Sequence, residues 1–135
     1  MQSKVSMKPG ILSLIIIAIL LVYLPILKAD PIEGIKVELK ILDKISAKVK
    51  NININVGEVL NFENLEINIT VCYKNPPEEI PEDFVLLKIY DEIIKKNIKN
   101  IFQGWMISSS PAVTPLEHPI YDLWVKSCNN DNDLS

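Results

Sequence analysis

The chain has 135 residues, with 14 Lys, no Arg and 17 Asp plus Glu, for a net charge of −3. This length allows one small domain with appendages, and the acidic balance without Arg excludes the basic, bidentate surface of nucleic-acid binders. One His and two Cys are too few for a zinc site of those ligands alone, so no metal or cofactor is implied.

The first element is apolar. Ile11 to Leu27 runs for 17 positions without a charge, after Lys4 and Lys8 and before Lys28, Ala29 and Asp30. A basic start, an apolar core and a small residue at the end describe a signal peptide over residues 1–29, with Pro25 breaking the helix and Ala29 preceding the cut. The rival reading is an uncleaved inner-membrane anchor, at the short end of the roughly 20 residues a span needs. Both place residue 30 onward outside the cytoplasm, periplasmic or otherwise exported, and touching membrane only through residues 11–27 if uncleaved. Residues 30–135 then hold 11 of the Lys and all 17 acids, a net charge of −6.

Residues 30–41 contain Pro31 and Gly34 and suggest a spacer, although Ile35–Leu42 alternates apolar with charged residues and could be a strand or an extended lead-in. Period-2 alternation is clear from Ser46, with Ala47 and Val49, then Ile52, Ile54 and Val56. These two sets differ in phase, which predicts a bulge or bend near Lys50–Asn51. Gly57-Glu58 predicts a turn. Leu65 to Tyr73 predicts the strongest strand, with one core face and the other carrying Cys72. The Pro-rich, acidic segment Lys74–Asp83 predicts an extended loop, a solvated connector or a docking segment for a basic partner or cation. Phe84–Tyr90 reads as a strand, Asp91–Asn100 as a helical turn or a polar hairpin, and Phe102–Ile107 as a strand. A Ser-Pro loop leads to the final strand Ile120–Cys128, and residues 130–135 read as a disordered tail. Asn68-Ile69-Thr70 matches a glycosylation acceptor, mid-strand and expected to be a chance match.

Five or six strands with little helix predict a mainly β, single-domain antiparallel sandwich or barrel over residues 42–129, preceded by the N-terminal hydrophobic helix. In an oxidising compartment the even Cys count reads as one disulfide, Cys72–Cys128. It closes a loop of about 57 residues and stabilises by on the order of 4 kcal/mol.

Several segments are distinctive in order and spacing. They are Leu42-Asp43-Lys44-Ile45, Val56-Gly57-Glu58, Cys72 to Glu78, Gly104-Trp105-Met106, Ser109 to Ala112, and Leu116 to Trp124. On these the chain from Leu42 to Cys128 resembles an alphaproteobacterial family of exported proteins defined only as a domain of unknown function. The resemblance implies a bacterial envelope location and carries no activity.

His118, with Glu117 before it and Asp122 four residues after, could serve as a general base for Ser108, Ser109 or Ser110. Without a nucleophile elbow, and with few Gly, a structural role for the imidazole is the better reading, and no catalytic residue is assigned. Trp105, Tyr121 and Trp124 are core candidates that could instead form a ligand shelf. Trp105 opposes Phe102 in parity, and Trp124 shares parity with Cys128. The expected function is a non-enzymatic envelope module that binds an unidentified envelope protein near Trp105, Met106, Glu117, His118, Tyr121, Asp122 and Trp124. The alternatives are a small envelope hydrolase using His118 and a membrane-tethered structural protein.

Overall fold

Alternating apolar and polar residues put one face of each strand in the core and the other in water. In the computed structural model, which describes residues 8–23, 29–94 and 97–134, this pattern produces two antiparallel sheets. The strands are β1 (Ile32–Glu33), β2 (Lys36–Asp43), β3 (Lys48–Asn55), β4 (Val59–Phe62), β5 (Leu65–Lys74), β6 (Asp83–Ile94), β7 (Asn97–Ile107) and β8 (Tyr121–Asn129). A five-stranded sheet has the order β1-β5-β6-β7, with β4 also on β5; a three-stranded sheet has the order β3-β2-β8. β1 and β4 share one flank of β5, at its two ends.

The inward residues of both sheets form a single core. Leu65, Ile67, Ile69, Val85, Leu87, Ile89 and Met106 meet Val37, Leu39, Ile41, Ile54, Tyr121, Leu123 and Val125. Burying one such aliphatic side chain is worth roughly 1.5–3 kcal/mol. The disulfide Cys72–Cys128 joins β5 of one sheet to β8 of the other, with both cysteines fully buried.

Two bulges make that link possible. Pairing shifts between Ile69 and Val71 on β5, and on β8 Val125 and Ser127 face consecutive residues of β2. Each bulge inserts one residue, Thr70 or Lys126, and so reverses the facing of the rest of its strand. Cys72 therefore joins Leu65, Ile67 and Ile69 inside, and Cys128 joins Tyr121, Leu123 and Val125. The expectation that Cys72 lies on the non-core face is thus corrected, as is the shared facing of Trp124 and Cys128.

Other differences have local causes. Eight strands form among the described residues instead of five or six, because β1 and β4 are short flanking strands. Residues 36–41, read as part of a spacer, are most of β2, the central strand of its sheet. β3 keeps one register along β2, without the expected phase change. Ala47 belongs to the preceding turn at φ 56°, and Val49 points to solvent at 53% exposure. Asp91–Asn100 adopts the hairpin alternative, with Ile94 opposite Asn97. The 74–83 segment is not extended: the Asn75 amide bonds the Glu82 carbonyl at 2.9 Å and Asn75 Nδ2 bonds the Ile80 carbonyl at 2.9 Å, closing a loop over buried Pro76. The tail forms a short 3-10 helix, Asp131–Leu134, held by Lys74–Asp133 at 2.7 Å.

Apart from the sheets, α1 (Pro9–Val22) is apolar and buries no residue. No helix among the described residues is long and apolar enough to cross a membrane. Lys4, Pro25, Leu27 and Lys28, invoked for the leader, lie outside the described residues, as does Ser135 of the tail.

Candidate functional site

The imidazole sits where the β4–β5 turn, β6 and the segment before β8 converge. His118 Nε2 lies 3.0 Å from Asp91 Oδ2, and both side chains are 3% exposed. His118 Nδ1 accepts from the amides of Ile120 at 3.2 Å and Tyr121 at 3.1 Å. Those two donors leave the ring proton on Nε2, which donates to Asp91. Asn64 Nδ2 donates to the other Asp91 oxygen. The Tyr121 ring stacks on the imidazole at 5.3 Å and meets Phe62 edge-on at 5.8 Å. Both ring nitrogens of His118 are thus occupied by fold-forming bonds.

The other members of the supposed catalytic set lie elsewhere. Glu117 is exposed. Asp122 pairs with Lys44 at 2.8 Å, and Lys44 also donates to the His118 carbonyl at 2.8 Å. Ser108 Oγ donates to Glu82 Oε1 at 2.9 Å, Ser109 N donates to the same oxygen at 2.9 Å, and Ser109 Oγ donates to Glu82 Oε2. No hydrogen bond joins His118 to a serine hydroxyl among the described residues. Burial pushes the Glu82 carboxyl up, but the Ser109 hydroxyl and amide and the Ser108 hydroxyl outweigh it and hold it below its usual 4.5. The neighbouring Asp83 is raised above 3.8, chiefly by burial. No group of three or more His, Cys, Asp or Glu is placed to hold a metal ion among the described residues.

The aromatic candidates separate onto different faces. Met106 and Tyr121 belong to the core, Trp124 lies half-buried on the outer face of the three-stranded sheet, and Trp105 is 42% exposed on the outer face of the five-stranded sheet. Its surroundings follow from register. Val71, Leu86 and Trp105 form one cross-strand row, and Tyr73, Phe84 and Ile107 form the next. The Thr70 bulge turns Val71 and Tyr73 outward to complete these rows. Six apolar side chains therefore occupy one end of a face whose adjoining row, Asn68, Lys88 and Gln103, is polar. The Tyr73 and Trp105 rings stack at 6.2 Å with planes 29° apart. Beside them lies an open cleft of about 410 Å³, bordered by Pro31, Tyr73, Glu79, Phe84 and Trp105. Sequence reasoning picked out Trp105 but missed its partners, since their grouping depends on the register of three strands and on a bulge.

A second cleft, of about 420 Å³, is lined by charges of both signs, including Asp43, Lys48, Lys50 and Glu63, with Tyr121 at its base. Burial first, and then the charges of Glu63, Asp43 and Asp91, raise the Tyr121 phenol above 10.0.

These features define a mainly β protein of two sheets joined by a disulfide, with its histidine committed to the fold and an aromatic, solvent-facing sheet end. The chain belongs to the family described as "Uncharacterized protein conserved in bacteria (DUF2155)", whose model matches residues 37–128. It is 36% identical over 87 residues to "Uncharacterized protein RP359" of Rickettsia prowazekii (strain Madrid E). That match covers 64% of this chain and 56% of the relative, so the chain spans little more than half the length of the curated protein it matches. No solved structure is a significant match to it.

Proposed function

We propose that this chain is a non-enzymatic binding module of the bacterial envelope, and that it engages an envelope protein through the outer end of the five-stranded sheet. The observation that carries this reading is the six-residue apolar patch around half-exposed Trp105. Solvated sheet faces are normally polar, and contiguous exposed apolar surface marks interaction sites. Aromatic residues are also the commonest anchors of interfaces. The buried disulfide supports an oxidising compartment, and the apolar segment containing α1 supports an export signal or a tether. N-terminal sequencing of the protein from cells decides between those two.

The binding reading is tested by placing a photo-crosslinking residue at position 105, and as a control at position 49, in the full chain in its native cells. Protein cross-links from 105 that are absent from 49 are expected. A Trp105→Ala variant with an unchanged circular dichroism spectrum should lose recovery of the same partner in pull-downs. Equal cross-linking from both positions, or none from 105, defeats the reading.

A further inference from the structure

The border of the aromatic patch is acidic, and this deepens the binding reading on which it rests. Glu33 on β1 stands opposite Tyr73 in register, so it extends the row Tyr73–Phe84–Ile107 at the edge of the sheet. Glu79 lines the cleft itself, and Asp30 precedes Pro31 on the cleft wall. All three carboxylates are exposed, and no salt bridge reaches them among the described residues. Among the described residues, the basic groups nearby do not cancel them. Lys74 is bonded to Asp133, and Lys88 lies in the polar row beyond Leu86.

An apolar, aromatic floor bordered by unpaired carboxylates selects a ligand that is apolar in the middle and cationic at its ends. We infer that the occupant is a cationic amphipathic polypeptide segment of a partner protein: apolar residues that pack on Trp105, Tyr73 and Phe84, flanked by Lys or Arg that meet Glu33 and Glu79. The indole and phenol faces also attract such cations directly. A second copy of this chain fits less well, because it would bring the same carboxylates toward one another. An anionic lipid surface fits less well for the same reason of sign.

The test holds the full chain in zwitterionic nanodiscs, in a Trp124→Phe background that leaves Trp105 as the sole indole. Its emission is titrated with a short synthetic peptide of alternating Lys and Leu, and with the same peptide carrying Glu for Lys. Saturable binding of the Lys peptide alone is expected. It should weaken about 5- to 10-fold in the double variant Glu33→Lys/Glu79→Lys, and at high salt. No binding of the Lys peptide, equal binding of both peptides, or an affinity unmoved by the charge reversal overturns the inference. So does a concentration-dependent emission shift without peptide, which marks self-association, or a shift on adding anionic vesicles alone. If cross-linking from position 105 captures a partner while these titrations fail, the binding module stands and only the cationic character of its partner falls.

Discussion

His118 is held by four groups: two backbone amides at Nδ1, the Asp91 carboxylate at Nε2 and the stacked ring of Tyr121. Removing the imidazole strands a buried carboxylate and leaves two amides without their acceptor. His118→Ala should therefore cost about 3–5 kcal/mol in urea unfolding, while Asp91→Asn, which removes the charge and keeps the shape, should cost less. Glu82 supplies a pH dependence. Its folded-state carboxyl is lowered from 4.5, so its share of stability is present above that value and is lost as pH falls through the folded value. Asp43, lowered by the Ser46 hydroxyl and amide, and Asp133, lowered by Lys74, act in the same sense. Asp83, raised by burial, acts in the opposite sense: its share is present below 3.8 and is lost as pH rises through its folded value. Ser109→Ala removes the hydroxyl bond that favours ionised Glu82 and keeps the backbone amide bond. The difference in melting temperature between pH 7 and about pH 3 should therefore shrink in that variant. None of these partnerships is legible in the sequence, because Asp91 and His118 lie 27 positions apart and Glu82 and Ser109 also 27. Only folding makes them neighbours.

At the scale of the element, alternation identified most of the long strands, and it failed where a strand changed facing. Nothing in Glu66-Ile67-Asn68-Ile69-Thr70-Val71 announces that Thr70 is an extra residue, since the alternation runs on unbroken through it. The bulge is set by pairing to β6, a property of two strands together. Its consequence can be tested by deleting Thr70. The deletion removes the extra residue but leaves Ile69, Val71 and Cys72 opposite Leu87, Leu86 and Val85, so Cys72 should still meet Cys128 and no thiol should react with a thiol reagent after denaturation without reductant. The short strands were illegible for another reason. β1 has two residues and β4 has four, and neither is long enough to establish a period. Gly34, between β1 and β2, is where the backbone passes from one sheet to the other. Its amide bonds the Cys72 carbonyl at 3.0 Å, and the next amide, of Ile35, bonds the Asn129 carbonyl at 2.9 Å. A Cβ built on Gly34 would lie 2.2 Å from Cys128 Sγ and 2.7 Å from Cys72 Sγ. Gly34→Ala should therefore destabilise by about 2–3 kcal/mol in urea unfolding, because backbone or disulfide must move.

For the whole molecule, the disulfide is the only covalent side-chain cross-link between the two sheets among the described residues. The double variant Cys72→Ala/Cys128→Ala should lose about 4 kcal/mol by urea unfolding, and the wild-type chain in reductant should lose a similar amount once its thiols are exposed. The pairing was legible from the cysteine count together with the apolar N-terminal segment. That the cysteines lie on facing strands of separate sheets was not, for that depends on both bulges. The patch around Trp105 belongs to this scale as well. Its six residues come from three strands and are brought together by register, so the sequence could single out the tryptophan without its surroundings.

The close passage of Gly34 over the two sulfur atoms also governs how fast this protein answers a change in its chemical surroundings. With both cysteines at zero exposure, a dissolved thiol cannot reach either sulfur until β1 and the Gly34 crossing lift away. The rate of reduction should then level off as the thiol concentration rises, at the rate of that opening, as followed by trapping free thiols over time. A linear rise without a plateau would show that the sulfurs are reached directly. The bond thus behaves as a latch behind a closed door, and its lifetime is set by the hinge of the door.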